Sequence, residues 1–128
     1  MTYRDKWLEP FSWDFITAQN QILCANKSAH HGPTSDGHDL GKELWQSKNQ
    51  LEMSLFEAVE ICRQCHRIAP FTNYNGNTFA AIARIMIKRL DLKPEDEFLI
   101  RSLAGHIVAG VAGEDELKAF EEFCKTLG

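Results

Sequence analysis

Cys62, Cys65 and His66 stand in the order Cys-x-x-Cys-His within "EAVEICRQCHRIAP". That spacing is the one used for covalent attachment of haem c, where two thiols add to vinyl groups and the following imidazole binds iron. A second iron ligand would then come from Met53, Met86 or a distant histidine. The same three side chains suit zinc, either as they stand or completed from "SAHHGPTSDGH", which supplies His30, His31 and His38. A third reading needs no cofactor: Cys62 and Cys65 are small buried thiols at a helix end. His66 then lies near the helix C-terminus, where a cation interacts well with the backbone dipole. We take the third reading as the leading expectation, with no cofactor, and zinc or haem c at Cys62, Cys65 and His66 as the alternative.

The compartment bears on this choice. The opening "MTYRDKWLEPFSWDFITAQ" is interrupted by Arg4, Asp5, Lys6, Glu9 and Asp14, so it lacks the apolar stretch of a signal peptide. We therefore expect a cytoplasmic protein whose four cysteines, Cys24, Cys62, Cys65 and Cys124, are reduced. Haem attachment in bacteria follows export, which counts against the haem alternative. The apolar runs are too short for a membrane span. Eighteen Asp and Glu against fourteen Lys and Arg give a net charge of −4, which does not favour nucleic acid as a partner.

The elements that must position these residues read as helices. At 128 residues and 44% hydrophobic composition the chain is long enough for one packed core, so we expect a single helical domain over residues 1–128. Ser12 is a suitable N-cap for "WDFITAQNQILCANK", whose stripe runs through Trp13, Phe15, Ile16, Gln19, Ile22 and Leu23. Gly32, Pro33 and Gly37 break the next segment. Residues 39–67 then read as one long helix of about 40 Å, with Leu40, Leu44, Leu51, Leu55, Val59 and Cys62 at spacings of four and seven and Phe56 beside them. An overhang of that length points to a partner.

Beyond "APFTNYNGN", Asn77 or Thr78 is expected to cap "TFAAIARIMIKRL", which is apolar on most sides and so central. Pro94 with Glu95, Asp96 and Glu97 opens the next helix, which Gly113 should end. Leu117, Phe120, Phe123, Cys124 and Leu127 make the inward stripe of the last. The fold class is therefore all-α, a bundle of about five helices with a long second helix. Glycines 105 and 110 cost about 1 kcal/mol each inside a helix relative to alanine, so their run of small neighbours predicts a close approach.

Arg101 and His106, with four residues between them on a predicted helix, resemble the arginine and histidine motif of helical HEPN ribonucleases. The resemblance implies an RNA-cleaving site in which both side chains face a dimer seam. It covers those two residues, and Ser102 stands where that family carries a polar amide. The sequence contains no glycine-rich phosphate loop and no nucleophile elbow. The expected function is accordingly a small helical interaction module, an adaptor, regulator or small subunit, more in keeping with a non-enzyme. It would act on a protein partner or as a homo-oligomer, and Trp7, Phe11 and Trp13 are candidate interface aromatics as well as candidate core.

Overall fold

The computed structural model describes residues 3–127. Six helices run in the order α1 (Trp13–Asn26), α2 (His38–Lys48), α3 (Leu55–Ile68), α4 (Asn75–Lys88), α5 (Pro94–Ala109) and α6 (Glu114–Lys125). Among the described residues there are no strands, only two isolated antiparallel bridges. The all-α class is thus as expected, while the number of helices and the long second one are not.

The expected rod over residues 39–67 is two helices. Ser54 takes an extended conformation and accepts from the Glu57 N–H at 3.1 Å, and the Glu57 carboxylate accepts from the Ser54 N–H in return. This reciprocal cap starts a new helix at Leu55. Just before it, Met53 exchanges two 2.9 Å backbone bonds with Asp5 and is buried, which no continuous helix would allow. At 1.5 Å per residue α2 and α3 are about 16 and 21 Å long, so the overhang does not exist. Leu40 and Leu51, placed on the stripe of the rod, are 59% and 49% exposed.

Other boundaries move for local reasons. Ser12 caps α1 as expected. α3 stops at Ala69, which adopts the left-handed conformation immediately before Pro70. α4 starts at Asn75 rather than after Asn77 or Thr78, because Tyr74 at φ 58° serves as the half-turn before it. α5 ends at Gly110, φ 78°, whose N–H caps the His106 and Ile107 carbonyls, while Gly113 instead precedes α6. Only a glycine takes that left-handed position without strain.

α4 packs against α5, α3 and α1, and its Phe79, Ile82, Ala83, Met86 and Ile87 are all but inaccessible. It is the central helix. The core cluster also takes in Leu8, Phe11, Trp13 and Trp45, whose indole N–H donates to the Phe11 carbonyl at 2.8 Å. Phe11 and Trp13 are therefore core, not interface. No helix among the described residues is long and apolar enough to cross a membrane.

Candidate functional site

On α3 the Cys-x-x-Cys-His residues part company. Cys62 and Cys65 are both 0% exposed and belong to the core cluster. Burial, followed by the neighbouring Cys65, raises the Cys62 pKa well above its ordinary value, and burial alone pushes Cys65 up to about 12. Both are thiols rather than thiolates at neutral pH, and the thiolate is the form that binds metal or attacks carbon. His66 lies one residue further round and faces α5. Its Nδ1–H donates to the Val108 carbonyl at 2.7 Å, and Nε2 lies toward Gly76.

The loop histidines lie elsewhere. His30 is exposed, and its carbonyl accepts from the Thr72 hydroxyl and the Asn73 amide. His31 and His38 flank Phe71, which also stacks on Trp13 at 5.7 Å. The His38 Nε2 accepts from the Trp13 indole at 3.4 Å, leaving Nδ1 toward Asp39. His30, His31, His38, Cys62, Cys65 and His66 are thus not brought together. Among the described residues no three His, Cys, Asp or Glu side chains are arranged to hold a metal ion.

His31 belongs to a buried network that the apolar pattern of α1 did not reveal. Asn20, 0% exposed, donates from Nδ2 to the Asn73 carbonyl at 2.7 Å and to the Thr78 hydroxyl at 3.0 Å. Its Oδ1 is left to accept the His31 Nδ1–H at 2.8 Å and the Cys24 thiol at 3.5 Å. Thr78 passes its own proton to the Tyr74 carbonyl. All four hydrogen-bonding positions of the Asn20 amide are engaged, so the network ties α1, the histidine loop and α4 together. The signal available was Asn20 itself, four residues after Ile16 and four before Cys24 on the buried side of α1.

Several surface depressions are open, and two of them adjoin the residues just described. A cavity of about 560 Å³ lies among the end of α3, the start of α4 and the second half of α5, lined on its polar side by His66, Tyr74, Asn77 and Arg84. Neither thiol lines it. A smaller groove of about 250 Å³ is lined by Arg84, Phe98, Arg101 and Ser102. Beside it Phe98 is 75% exposed and Leu99 56%.

Within one copy, Arg101 and His106 are held by different neighbours. Five residues apart on a helix, they point about 140° from each other. Arg101 sits 3.9 Å from the Glu97 carboxylate one turn back, and His106 Nδ1 is bonded to Glu116 on α6. That bond is the first cause of the lowered Glu116 pKa.

The described residues form a six-helix all-α fold with a hydrogen-bonded network around Asn20 and His31 and an open groove lined by two arginines. Compared with protein-family models, with curated proteins and with solved structures, the chain matches none.

Proposed function

We propose that this chain is a small helical interaction module working through the outer face of α5, and that the partner this face fits is a second copy of itself. The observation that carries the reading is the pair Phe98 and Leu99, large apolar side chains left exposed on a helix whose other side is core. Aromatic and arginine side chains dominate binding energy at protein interfaces, and both are here.

Charge supports self-association. Glu95, Phe98 and Arg101 are spaced by three, so they lie within about 60° of one another in turn around α5. Two antiparallel copies crossing at Phe98 place residue 98 plus three of one opposite residue 98 minus three of the other. Arg101 then lies level with Glu95 of the second copy but across the seam, since the two stand about 120° apart on either side of Phe98, so the pair forms, twice by two-fold symmetry, where the helices cross at an angle that brings those flanks together. Phe98 would stack at the centre, sealed by Leu99.

Sedimentation equilibrium tests this. The chain is expected to dimerise, and Phe98→Asp is expected to weaken the dimer by about 2 kcal/mol or more, roughly thirtyfold in Kd. A wild-type monomer at every concentration reached would contradict the proposal.

A further inference from the structure

The segment that leads from α3 into α4 ends on two residues that react with one another in an open chain. Asn75 is followed by Gly76, and no other asparagine of the sequence precedes a glycine. With no side chain to shield it, a glycine's backbone nitrogen is the least hindered nucleophile that can attack the carboxamide before it. Packing explains why the pair stands here. A Cβ on Gly76 would lie 3.1 Å from His66 Nε2, tighter than side chains normally pack. Asn75, for its part, is a clamp: its Oδ1 accepts from the Phe71 N–H at 2.9 Å and its Nδ2 donates to the Phe71 carbonyl at 2.7 Å.

The clamp holds the carboxamide on residue 71, four positions back, whereas the reaction requires it on the Gly76 nitrogen. That nitrogen lies in the first turn of α4, where no carbonyl of the helix accepts its N–H and Tyr74 supplies no side-chain cap. The nucleophile is therefore unoccupied, and the hold on Asn75 keeps the two groups apart. The connector pulls against that hold. It begins and ends on non-glycine residues in the left-handed conformation, Ala69 and Tyr74, both at φ 58°. The residue it secures matters to the core, since Phe71 is 2% exposed and packs against Trp13, His31 and His38.

We propose that Asn75 is a latent deamidation site, closed by its clamp on Phe71 and opened when the connector over residues 69–75 comes away from the fold. In the open connector the Gly76 nitrogen bonds to Asn75 Cγ, the Cγ–Nδ2 bond breaks, and the proton of that nitrogen leaves with Nδ2 as ammonia. Water then opens the cyclic imide. Cleavage between the Gly76 nitrogen and Cγ leaves aspartate. Cleavage between the same nitrogen and the Asn75 backbone carbonyl carbon leaves isoaspartate, with the main chain routed through the former side chain. Either product has a carboxylate in place of the Nδ2 donor, so the Phe71 carbonyl loses its partner. A connector that has opened and reacted cannot restore the clamp, and the step runs one way.

Peptide mapping by mass spectrometry of the full chain, incubated folded and in guanidinium, tests this independently of the Phe98 face. In the unfolded chain the peptide holding Asn75 is expected to gain the mass of an amide-to-acid exchange, with isoaspartate among the products. The folded chain should react at least about tenfold more slowly, because the reaction follows the population of the open form. Asn20→Ala frees the Asn73 carbonyl inside the connector. It should speed the folded-state reaction about fivefold, the change in open population that loss of one hydrogen bond implies. Gly76→Ala should slow the reaction in the unfolded chain, which checks the chemistry apart from the fold. Asn75→Asp, which stands in for one product, should speed hydrogen exchange at the Thr72 amide, bonded in the closed connector to the Gly32 carbonyl, with helical content unchanged. No reaction at Asn75 in guanidinium, equal rates in folded and unfolded chains, or a wild-type rate in Asn20→Ala would each overturn the proposal. So would wild-type exchange at Thr72 in Asn75→Asp.

Discussion

On α3 the two thiols of Cys-x-x-Cys-His point inward, whereas on α5 Phe98, Leu99 and Arg101 point outward. The difference lies in how each helix is enclosed. α3 packs against α2, α4, α5 and α6, while α5 has only α3, α4 and α6 around it. A residue pattern states which chemistry its side chains allow, and enclosure decides whether anything can reach them. Cys62 and Cys65 have reactive types in an unreactive setting. Phe98 and Arg101 have ordinary types in an accessible setting.

The enclosed side of this comparison breaks most strongly at the central helix. Ile82→Ala is expected to cost about 2–5 kcal/mol, the range for large-to-small changes in a packed core, read from urea denaturation. A neutral result would show that α4 does not hold the interior together. Asn20→Ala comes next. It strands the Asn73 carbonyl and the His31 N–H in a part-buried setting and leaves the Thr78 hydroxyl with its bond to Tyr74 alone, and a loss of about 2 kcal/mol is expected from such orphaned groups. If the closed network is closed because it is satisfied, Asn20→Asp should also be poorly tolerated, since it replaces a donor by a charge.

Thiol titration sharpens the same contrast. The folded pKa values of Cys62, Cys65 and Cys124 lie above the ordinary 9.0, chiefly through burial. Below that value folded and unfolded chains both keep their protons and the stability is fully present. As pH rises from 9.0 toward about 12 the unfolded chain alone releases them, so stability falls. Denaturation midpoints between pH 8 and 10.5 should show this decline, reduced in Cys65→Ala. A thiol reagent should label these cysteines only as fast as the protein opens, and the intact mass should equal that of the polypeptide. A Soret band with a covalent mass increase, in protein made by cells able to mature cytochromes, would place haem on α3 after all.

The smallest expected effect is on the open side. Phe98→Asp should change monomer stability by no more than about 0.5 kcal/mol, as is usual for an exposed position. A larger loss would mean that Phe98 is part of the monomer's packing and not a docking residue.

Much of this architecture was legible because helix punctuation is local. Ser12 before Trp13 and Pro94 before three acidic residues are chemical statements about the next turn, and both helices begin there. The break inside residues 39–67 was also written in the chain, as Ser54 and Glu57 in capping-box spacing, but the leucine repeat across it masked the signal. Leu40 and Leu51 kept that period with nothing to pack against. The Met53 bridge to Asp5 depends on residues nearly fifty positions apart and has no local trace. The same holds for the sites. His66 and Gly76 come from two helices, and His31 meets Asn20 only because the loop folds back onto α1. The Cys-x-x-Cys-His spacing, by contrast, was plain in the sequence, yet it carried no information about which way the thiols would turn.

The most direct test of the interaction reading is a charge exchange on α5, followed by sedimentation equilibrium. Glu95→Arg alone and Arg101→Glu alone each set like charges facing across the two-fold contact, and each is expected to weaken the dimer about tenfold, as juxtaposed like charges do at interfaces. The double variant Glu95→Arg with Arg101→Glu restores both pairs with their signs reversed and should recover most of the wild-type affinity. Recovery of that kind requires Glu95 and Arg101 to face one another between copies. Monomeric wild-type protein, or single variants that associate as well as wild type, would contradict the account.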